Sequence, residues 1–192
     1  MREFVYYSKN ASTSGKALSG DLMKAGRMDI AIHSIIQGLF LSHDIRKDTI
    51  IHLVFYGMPD PPKHIEIHGK NAEINKKNVA KILQKVLYKH KEGEKKEVLP
   101  GCFIEKKSFL KVIDELIGQG KEIFVLDKKG ESIREVKMDK PPVFILGDHQ
   151  GLPKKEIKRL KESSTPISVG PKMYFASQTI AVVNNELDVR GI

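Results

Sequence analysis

The sequence predicts an α/β fold built on a mostly parallel sheet flanked by helices. Three short apolar runs in the last third of the chain each end in a loop with glycine or charged residues, which is typical of strands buried on both faces of such a sheet. The runs are Glu122–Leu126, Val143–Leu146 and Pro166–Val169. Strand-like and helical segments alternate along the rest of the 192 residues. We therefore expect one α/β domain over residues 1–192; a division near residue 95 is a weaker alternative.

The first half of the chain predicts three strands and two helices. Polar loops separate these segments, and a proline-rich stretch ends the second strand. Polar and apolar residues alternate along the third strand, which is expected to form a hairpin with the second. In order, the segments are a strand over Arg2–Tyr7, a loop over Ser8–Gly20, a helix over Met28–Phe40, strands over Thr49–Tyr56 and His64–His68, and a helix over Asn75–Tyr88.

The second half predicts three helices around the three apolar strands. A charged stretch, Lys89–Glu97, is expected to be disordered. Ser108 is expected to cap a helix that ends at Ile117, before Gly118 and Gly120. Two further helices are expected over residues 153–160, where Pro153 suits a first turn, and over residues 174–187.

Composition is typical of a globular protein of a reducing compartment. The chain is 40% hydrophobic, its mean hydropathy is -0.31, and no apolar stretch approaches the roughly 20 residues needed to span a bilayer. Its amino terminus lacks a signal-peptide layout. Its single cysteine, Cys102, cannot form an internal disulfide, so we expect a cytoplasmic protein.

Basic residues outnumber acidic ones and indicate a polyanionic partner. The chain has 33 Lys and Arg against 24 Asp and Glu, a net charge of +9. Such an excess favours nucleic acid through counterion release. A generic lysine-rich surface is an equally good explanation of the charge taken alone.

Several common motifs are absent. There is no G-x-G-x-x-G, and Gly120-Lys121 fails as a P-loop because Glu115 and Glu122 stand where Gly and Ser or Thr are required. His64 and His68 lie on a predicted strand, where residues four apart are about 13 Å from one another. We therefore expect no metal site.

Two regions remain as candidates for chemistry. Ligands of parallel sheets bind beyond the carboxyl ends of the strands, so Leu126, Gly147 and Gly170 are expected to line one crevice. The second region comprises Gly26–Asp29 and Ser42–Asp48, which flank one predicted helix. Pattern alone also allows these segments a structural role, with Asp29 complementing the helix dipole and Ser42–Asp48 as an ordinary polar connection.

Several blocks in one order resemble a known family, the archaeal tRNA pseudouridine N1-methyltransferases (TrmY) of the SPOUT class of S-adenosylmethionine-dependent enzymes. The resemblance covers nearly the whole chain and is least determined over Lys89–Glu97. The blocks are Gly26–Asp29, Ser42–Asp48, Tyr56–Pro59, Phe144–His149, Ser168–Ser177 and Val183–Asp188.

The resemblance implies a trefoil knot within about residues 120–192 and a homodimer whose functional site uses both subunits. It also implies S-adenosylmethionine as cofactor. Thr179 stands where the family is expected to carry cysteine, so its contact has less support than the others. The residues expected to contact the cofactor are Leu126, Gly147, Val169, Gly170, Pro171, Lys172, Met173, Tyr174 and Thr179.

The implied reaction is methylation of N1 of pseudouridine at position 54, in the T-loop of tRNA. Removing the N1 proton needs a base, for which Asp29 and Asp48 are candidates, while Arg27 and Arg46 would stabilise the uracil anion or hold phosphate. Three alternatives remain: a SPOUT methyltransferase acting on ribosomal RNA or another tRNA position, a non-catalytic basic RNA-binding module, and a metallohydrolase.

Overall fold

The computed structural model describes residues 1–90 and 95–192, whose eight strands form a single sheet. The strands are β1 (Arg2–Ser8), β2 (Thr49–Phe55), β3 (Lys63–His68), β4 (Lys96–Leu99), β5 (Cys102–Glu105), β6 (Glu122–Ser132), β7 (Pro142–Gly147) and β8 (Thr165–Ser168). The α-helices are α1 (Met28–Leu39), α2 (Val79–Tyr88), α3 (Phe109–Gly118), α4 (Lys154–Leu160) and α5 (Ala176–Arg190). A short 3-10 helix covers Gly15–Ser19.

The sheet has a parallel half and an antiparallel wing. Its strand order is β4-β5-β3-β2-β1-β7-β6-β8. Strands β2, β1, β7, β6 and β8 run parallel to one another, whereas β3 pairs antiparallel with both β2 and β5, and β5 pairs antiparallel with β4. The prediction of a mostly parallel sheet with a β2–β3 hairpin is therefore confirmed.

Both faces of the parallel half are buried. Because side chains alternate along a strand, Phe4 and Tyr6 of β1 join the larger core with α1, α2 and α5. Val5 and Tyr7 face the opposite side, where they join a smaller core that includes Phe109 of α3. The continuous apolar character of these strands follows from this double burial.

Helices α1 and α5 pack against each other over the larger core. The side-chain amide of Asn184 in α5 donates hydrogen bonds to the carbonyl oxygens of Gln37 and Gly38 in α1, at 3.1 and 3.3 Å. A Cβ at Gly38 would lie 2.4 Å from Cδ1 of Ile51, so a larger residue there would require the Ile51 side chain to move. This packing joins the final helix to the first half of the chain.

Some boundaries differ from the sequence predictions. Residues 75–78 form a turn closed by the Asn75 and Asn78 side chains, so α2 begins later than predicted. Ser108 occupies the N-cap of α3, but its side chain makes no capping hydrogen bond. Strand β6 extends beyond Leu126, and β4 and β5 were not predicted. Within the charged stretch Lys89–Glu97, residues 91–94 lie outside the described residues, and β4 begins at Lys96.

Cys102 is buried in β5, and burial raises the pKa of its thiol to about 11. Among the described residues, no helix is long and apolar enough to cross a membrane.

Candidate active site

The carboxyl ends of β7, β6 and β8 meet at one edge of the sheet. Leu126 of β6 pairs with Ile167 of β8, and Gly147 is the last residue of β7. Gly170 lies two residues beyond the end of β8. Since these three neighbouring strands are parallel, the predicted crevice positions Leu126, Gly147 and Gly170 share this edge.

Two glycines at this edge lie so close to the backbone of a neighbouring segment that no larger residue fits there. A Cβ at Gly147 would lie 2.4 Å from the carbonyl carbon of Gly151, because the turn from Asp148 to Gly151 folds back over the strand end. A Cβ at Gly130 would lie 2.4 Å from the amide nitrogen of Ile167. Glycine therefore lets two connections approach the strand ends more closely than other residues allow.

The strand ends leave backbone groups available to a ligand. The pairing of β6 with β8 is interrupted between Leu126 and Glu131, so the intervening backbone is outside the regular ladder. Val169 and Gly170 are half-buried, while residues 171–174 are exposed and lead into α5. Thr179 lies half-buried in the first turn of α5. Free amides and carbonyls beside small residues suit the edge of a neutral heterocycle such as adenine.

Arg27 and Asp29 form a two-point ion pair near the same edge. Two guanidinium nitrogens of Arg27 donate to the two carboxylate oxygens of Asp29, both at 3.0 Å. The pair keeps the pKa of Asp29 below its ordinary value and raises that of Arg27. Arg27 has a left-handed backbone (φ 63°), and Gly26 before it lies so close to Asn10 that a Cβ there would clash. This turn fixes the pair beside the loop that follows β1.

Asp148 and Ser8 form a second polar contact close to the Arg27–Asp29 ion pair. The Ser8 hydroxyl donates to the buried carboxylate of Asp148 at 2.6 Å and accepts a hydrogen bond from the amide of Ala11. Burial raises the pKa of Tyr6, and the charges of Asp148 and Asp29 raise it further. Within the described part of the chain, the Tyr6 hydroxyl is buried without a hydrogen-bond partner.

Sequence reasoning assigned no role to Asp148, Ser8 or Tyr6. The available signal was the position of Asp148 directly after the apolar strand that ends at Gly147.

Arg46 and Asp48 lie at the opposite edge, beside the amino ends of β1 and β2. Arg46 donates to both carboxylate oxygens of Asp188, at 2.7 and 2.5 Å, and Asp48 pairs with Arg2 at 3.0 Å. Strand β1 separates them from the crevice by about 20 Å, given the rise per residue of a strand. Within one chain, the structure does not bring Asp48 and Arg46 together with Asp29 and Arg27.

The whole chain, residues 1–192, matches the model of a family described as "Putative SAM-dependent RNA methyltransferase". The chain belongs to this family. The resemblance that the sequence blocks indicated is thereby confirmed, and this RNA methyltransferase family depends on S-adenosylmethionine, as expected.

Two similar archaeal proteins span the full length of this RNA methyltransferase. A protein of Methanococcus aeolicus named tRNA (pseudouridine(54)-N(1))-methyltransferase is 35% identical over 199 residues, which cover 98% of each chain. A protein of the same name from Methanocaldococcus jannaschii is 32% identical over 203 residues, covering 100% of this chain and 98% of the relative.

A solved structure shares the fold. The crystal structure of Archaeoglobus fulgidus Nep1 bound to S-adenosylhomocysteine aligns with a TM-score of 0.69, covering 100% of this chain and 99% of that one, at 13% sequence identity.

Proposed function

We propose that the protein transfers a methyl group from S-adenosylmethionine to N1 of pseudouridine at position 54 of tRNA. The observation that carries this proposal is full-length similarity, at 32–35% identity, to two proteins named for that reaction. The net charge of +9 supports a polyanionic substrate. We further propose that residues 1–192 act as one domain in the cytoplasm; the single continuous sheet supports the first point.

The cofactor binds at the strand exits of β6, β7 and β8. Residues fitting this role are Leu126, Gly147, Val169 to Tyr174 and, in the first turn of α5, Thr179. The interrupted β6–β8 ladder supports the assignment, because it leaves backbone donors and acceptors for the adenine edge. The cofactor, when bound, supplies a methyl group already activated on a sulfonium, and the chain chiefly has to align the acceptor with it.

Asp29 accepts the N1 proton of pseudouridine, directly or through one water. Its carboxylate is ionised at neutral pH, as an ordinary aspartate is, and Arg27 holds its pKa lower still. Loss of this proton would leave the N1 lone pair free to accept the methyl group that the bound cofactor would supply. Arg27 lies beside the carboxylate, where its charge stabilises the negative charge that develops on the uracil ring.

Asp148 and Ser8 act as positioning residues. The Asp148 carboxylate holds the Ser8 hydroxyl, which in turn holds the amide of Ala11 and so shapes the loop after β1. Arg46 and Asp48 serve this site only if a second subunit presents them; within one chain their ion pairs join β1, β2 and α5.

The carboxyl-terminal region forms a trefoil knot. Two observations support the knot: Leu126 and Glu131 of β6 both pair with Ile167 of β8, and Gly130 approaches residues 166 and 167 closely. A crystal structure that traces the backbone through this loop tests the proposal. A chain that passes beside the loop would overturn it.

The protein functions as a homodimer. Large apolar side chains before and along α5 support an interface with a second copy, since Met173, Phe175 and Val189 are 81%, 75% and 77% exposed. Light scattering should give twice the chain mass for the native protein and for Tyr88→Ser, an exposed change on α2, and a lower mass for Phe175→Ser. A monomeric native protein would refute the dimer.

Methyl transfer to a T-loop stem-loop tests the reaction and the substrate together. Labelled cofactor should modify the RNA that contains pseudouridine at the target position and leave the same RNA with uridine unmodified. Modification of ribosomal RNA or another tRNA position instead would favour the nearest alternative. Absence of S-adenosylmethionine binding in calorimetry would favour a non-catalytic RNA-binding module.

A further inference from the structure

A buried polar cluster lies on the sheet away from the proposed active site. Antiparallel pairing aligns His52 of β2 with Glu66 of β3, and His64 of β3 with Glu105 of β5. Glu3 of the adjacent β1 lies opposite Ile50 and reaches His52 diagonally through its side chain. All five side chains are at least nine-tenths buried. Titratable side chains are seldom buried to this extent, and clusters of them are candidates for a functional site.

Three donor atoms in this cluster converge on one point. Nδ1 of His52 and Nε2 of His64 are 3.0 Å apart, and each lies 3.9 Å from Oε1 of Glu66. The point equidistant from the three atoms is about 2.1 Å from each, which is close to the distance at which Zn²⁺ binds imidazole nitrogen and carboxylate oxygen. The two rings are nearly coplanar, with an interplanar angle of 7° and centroids 5.2 Å apart, so their inner nitrogens face each other. Tetrahedral ligation requires these nitrogens to separate to about 3.4 Å and both rings to turn toward the ion.

The outer ring nitrogens are held as they are in metal-binding histidines. Nε2 of His52 contacts a carboxylate oxygen of Glu3 at 2.9 Å, and Nδ1 of His64 contacts one of Glu105 at 2.9 Å. A carboxylate on the outer nitrogen fixes the tautomer that directs the inner lone pair toward a metal ion. This second feature is independent of the spacing between the inner atoms.

The number of protons also favours a cation between the rings. The row Glu3, His52, His64, Glu105 contains three contacts, and each needs one proton. Two neutral imidazoles supply two protons, and both are used when the outer nitrogens donate to the carboxylates. The two inner nitrogens then face each other with lone pairs only, and either one further proton or a bound metal ion satisfies them.

We propose that His52, His64 and Glu66 bind one divalent ion of the zinc class, with Glu3 and Glu105 orienting the two histidines. The donor set of two imidazoles and one carboxylate suits such an ion. The sequence-based expectation of no metal considered His64 and His68 on one strand; the ligands instead come from two strands brought together by the β2–β3 register.

A cleft of about 220 Å³ opens onto the cluster and gives the ion an entry path and room for a water ligand. Lys95 lies at its mouth, where its ammonium contacts Oε1 of Glu66 at 2.6 Å. The Lys95 side chain is 39% exposed, so it can move into solvent when an ion takes its place. Lys95 therefore competes with the metal for the same oxygen.

Metal titration of the full chain tests the proposal without reference to methyl transfer. After dialysis against a chelator, the protein should bind one equivalent of Zn²⁺ in calorimetry, and Co²⁺ should give the visible absorption of a tetrahedral site. His64→Gln and Glu66→Gln should each weaken binding at least tenfold. The matched control His33→Gln, at an exposed position on α1, should bind as the native chain does.

Two further variants keep the test decisive if a buried substitution unfolds the chain. Lys95→Gln should bind Zn²⁺ more tightly, because it removes the competing ammonium. Glu3→Gln should bind about 10- to 100-fold more weakly through loss of the orienting carboxylate. No stoichiometric binding, unchanged affinity in both His64→Gln and Glu66→Gln, or weaker or unchanged binding in Lys95→Gln would each overturn the proposal.

Discussion

The ion pair between Arg27 and Asp29 fixes an ionised carboxylate beside the strand exits and lowers its pKa further. Asp29→Asn preserves the shape of this side chain but removes its basicity. Because general-base catalysis contributes about 10²- to 10⁴-fold, we expect the single-turnover methylation rate to fall at least 100-fold. Affinity for S-adenosylhomocysteine, measured by calorimetry, should not change.

Asp114→Asn is the matched control, since Asp114 is exposed on α3 and away from the crevice. A native rate in Asp114→Asn with a reduced rate in Asp29→Asn supports the assignment. Equal native rates in both variants would show that another group takes the proton.

Asp188 makes stability depend on pH. Hydrogen bonds from Arg46 and, after the opposing effect of burial, from Arg2 keep the pKa of Asp188 below its ordinary value of 3.8. The stabilisation is therefore present above that pH and is lost as pH falls through the lower pKa of the folded state. Because the Asp188 side chain is 41% exposed and water screens its ion pairs, Asp188→Asn should lower the free energy of unfolding at pH 7 by only about 1 kcal/mol.

Denaturant unfolding at several pH values checks this expectation. The difference between Asp188→Asn and the native chain should narrow below pH 3.8. A difference that stays constant down to pH 2 would mean that packing, rather than charge, is what the substitution removes.

The sequence indicated which side chains could act as a base, but not which of them lie together in the fold. Asp29 and Asp48 were both predicted as bases from residue type and family position, in segments that flank one helix. A helix of 12 residues is about 18 Å long, so its ends reach opposite edges of the sheet. Asp148 was missed because its importance depends on contacts with Ser8, 140 residues away in sequence. Local pattern carries no information about such contacts.

Among the elements, the end of β7 depends on a missing side chain. Gly147→Ala places a Cβ within 2.4–2.7 Å of Gly151 backbone atoms. The turn must move, which should cost about 1–3 kcal/mol of stability and weaken S-adenosylhomocysteine binding. Thermal unfolding and calorimetry measure the two effects.

Gly118→Ala provides the comparison, because a Cβ there meets nothing within 4 Å. It should be neutral or slightly stabilising at the end of α3. If Gly147→Ala behaves like Gly118→Ala in both measurements, the turn at Asp148–Gly151 is not tightly packed against the strand end.

The sequence predicted strands correctly where the strand is buried along its whole length. β1, β2 and β7 are rich in apolar residues because both of their faces are covered, and their positions were predicted closely. β4 and β5 have only four residues each, too few for a clear alternation of apolar and polar residues. β6 was predicted too short because its later residues are polar and mostly exposed.

For the whole molecule, charge sets the interaction with RNA. With a net charge of +9, tRNA binding should release counterions, and its affinity should fall steeply between about 50 and 200 mM salt. Calorimetry at several salt concentrations measures the slope. S-adenosylhomocysteine, which carries no net charge, provides the control and should show little change, and a flat response for tRNA would exclude an interface dominated by phosphate contacts.

Fold class was predictable from the alternation of elements, whereas strand order was not. The placement of β7 between β1 and β6 depends on contacts between distant parts of the chain. Local periodicity cannot supply this order, and the same limit explains why the β2–β3 register that assembles His52, His64 and Glu66 was not foreseen.

The buried thiol in β5 offers a reporter of opening in the antiparallel wing. Alkylating reagents attack thiolate, and with a pKa of about 11 Cys102 is almost entirely protonated at neutral pH. It is also the single cysteine of the chain, so every modification event reports the same location. The rate of labelling by iodoacetamide therefore measures how often this wing detaches from the rest of the sheet, and it should slow if an ion fastens β2 to β3.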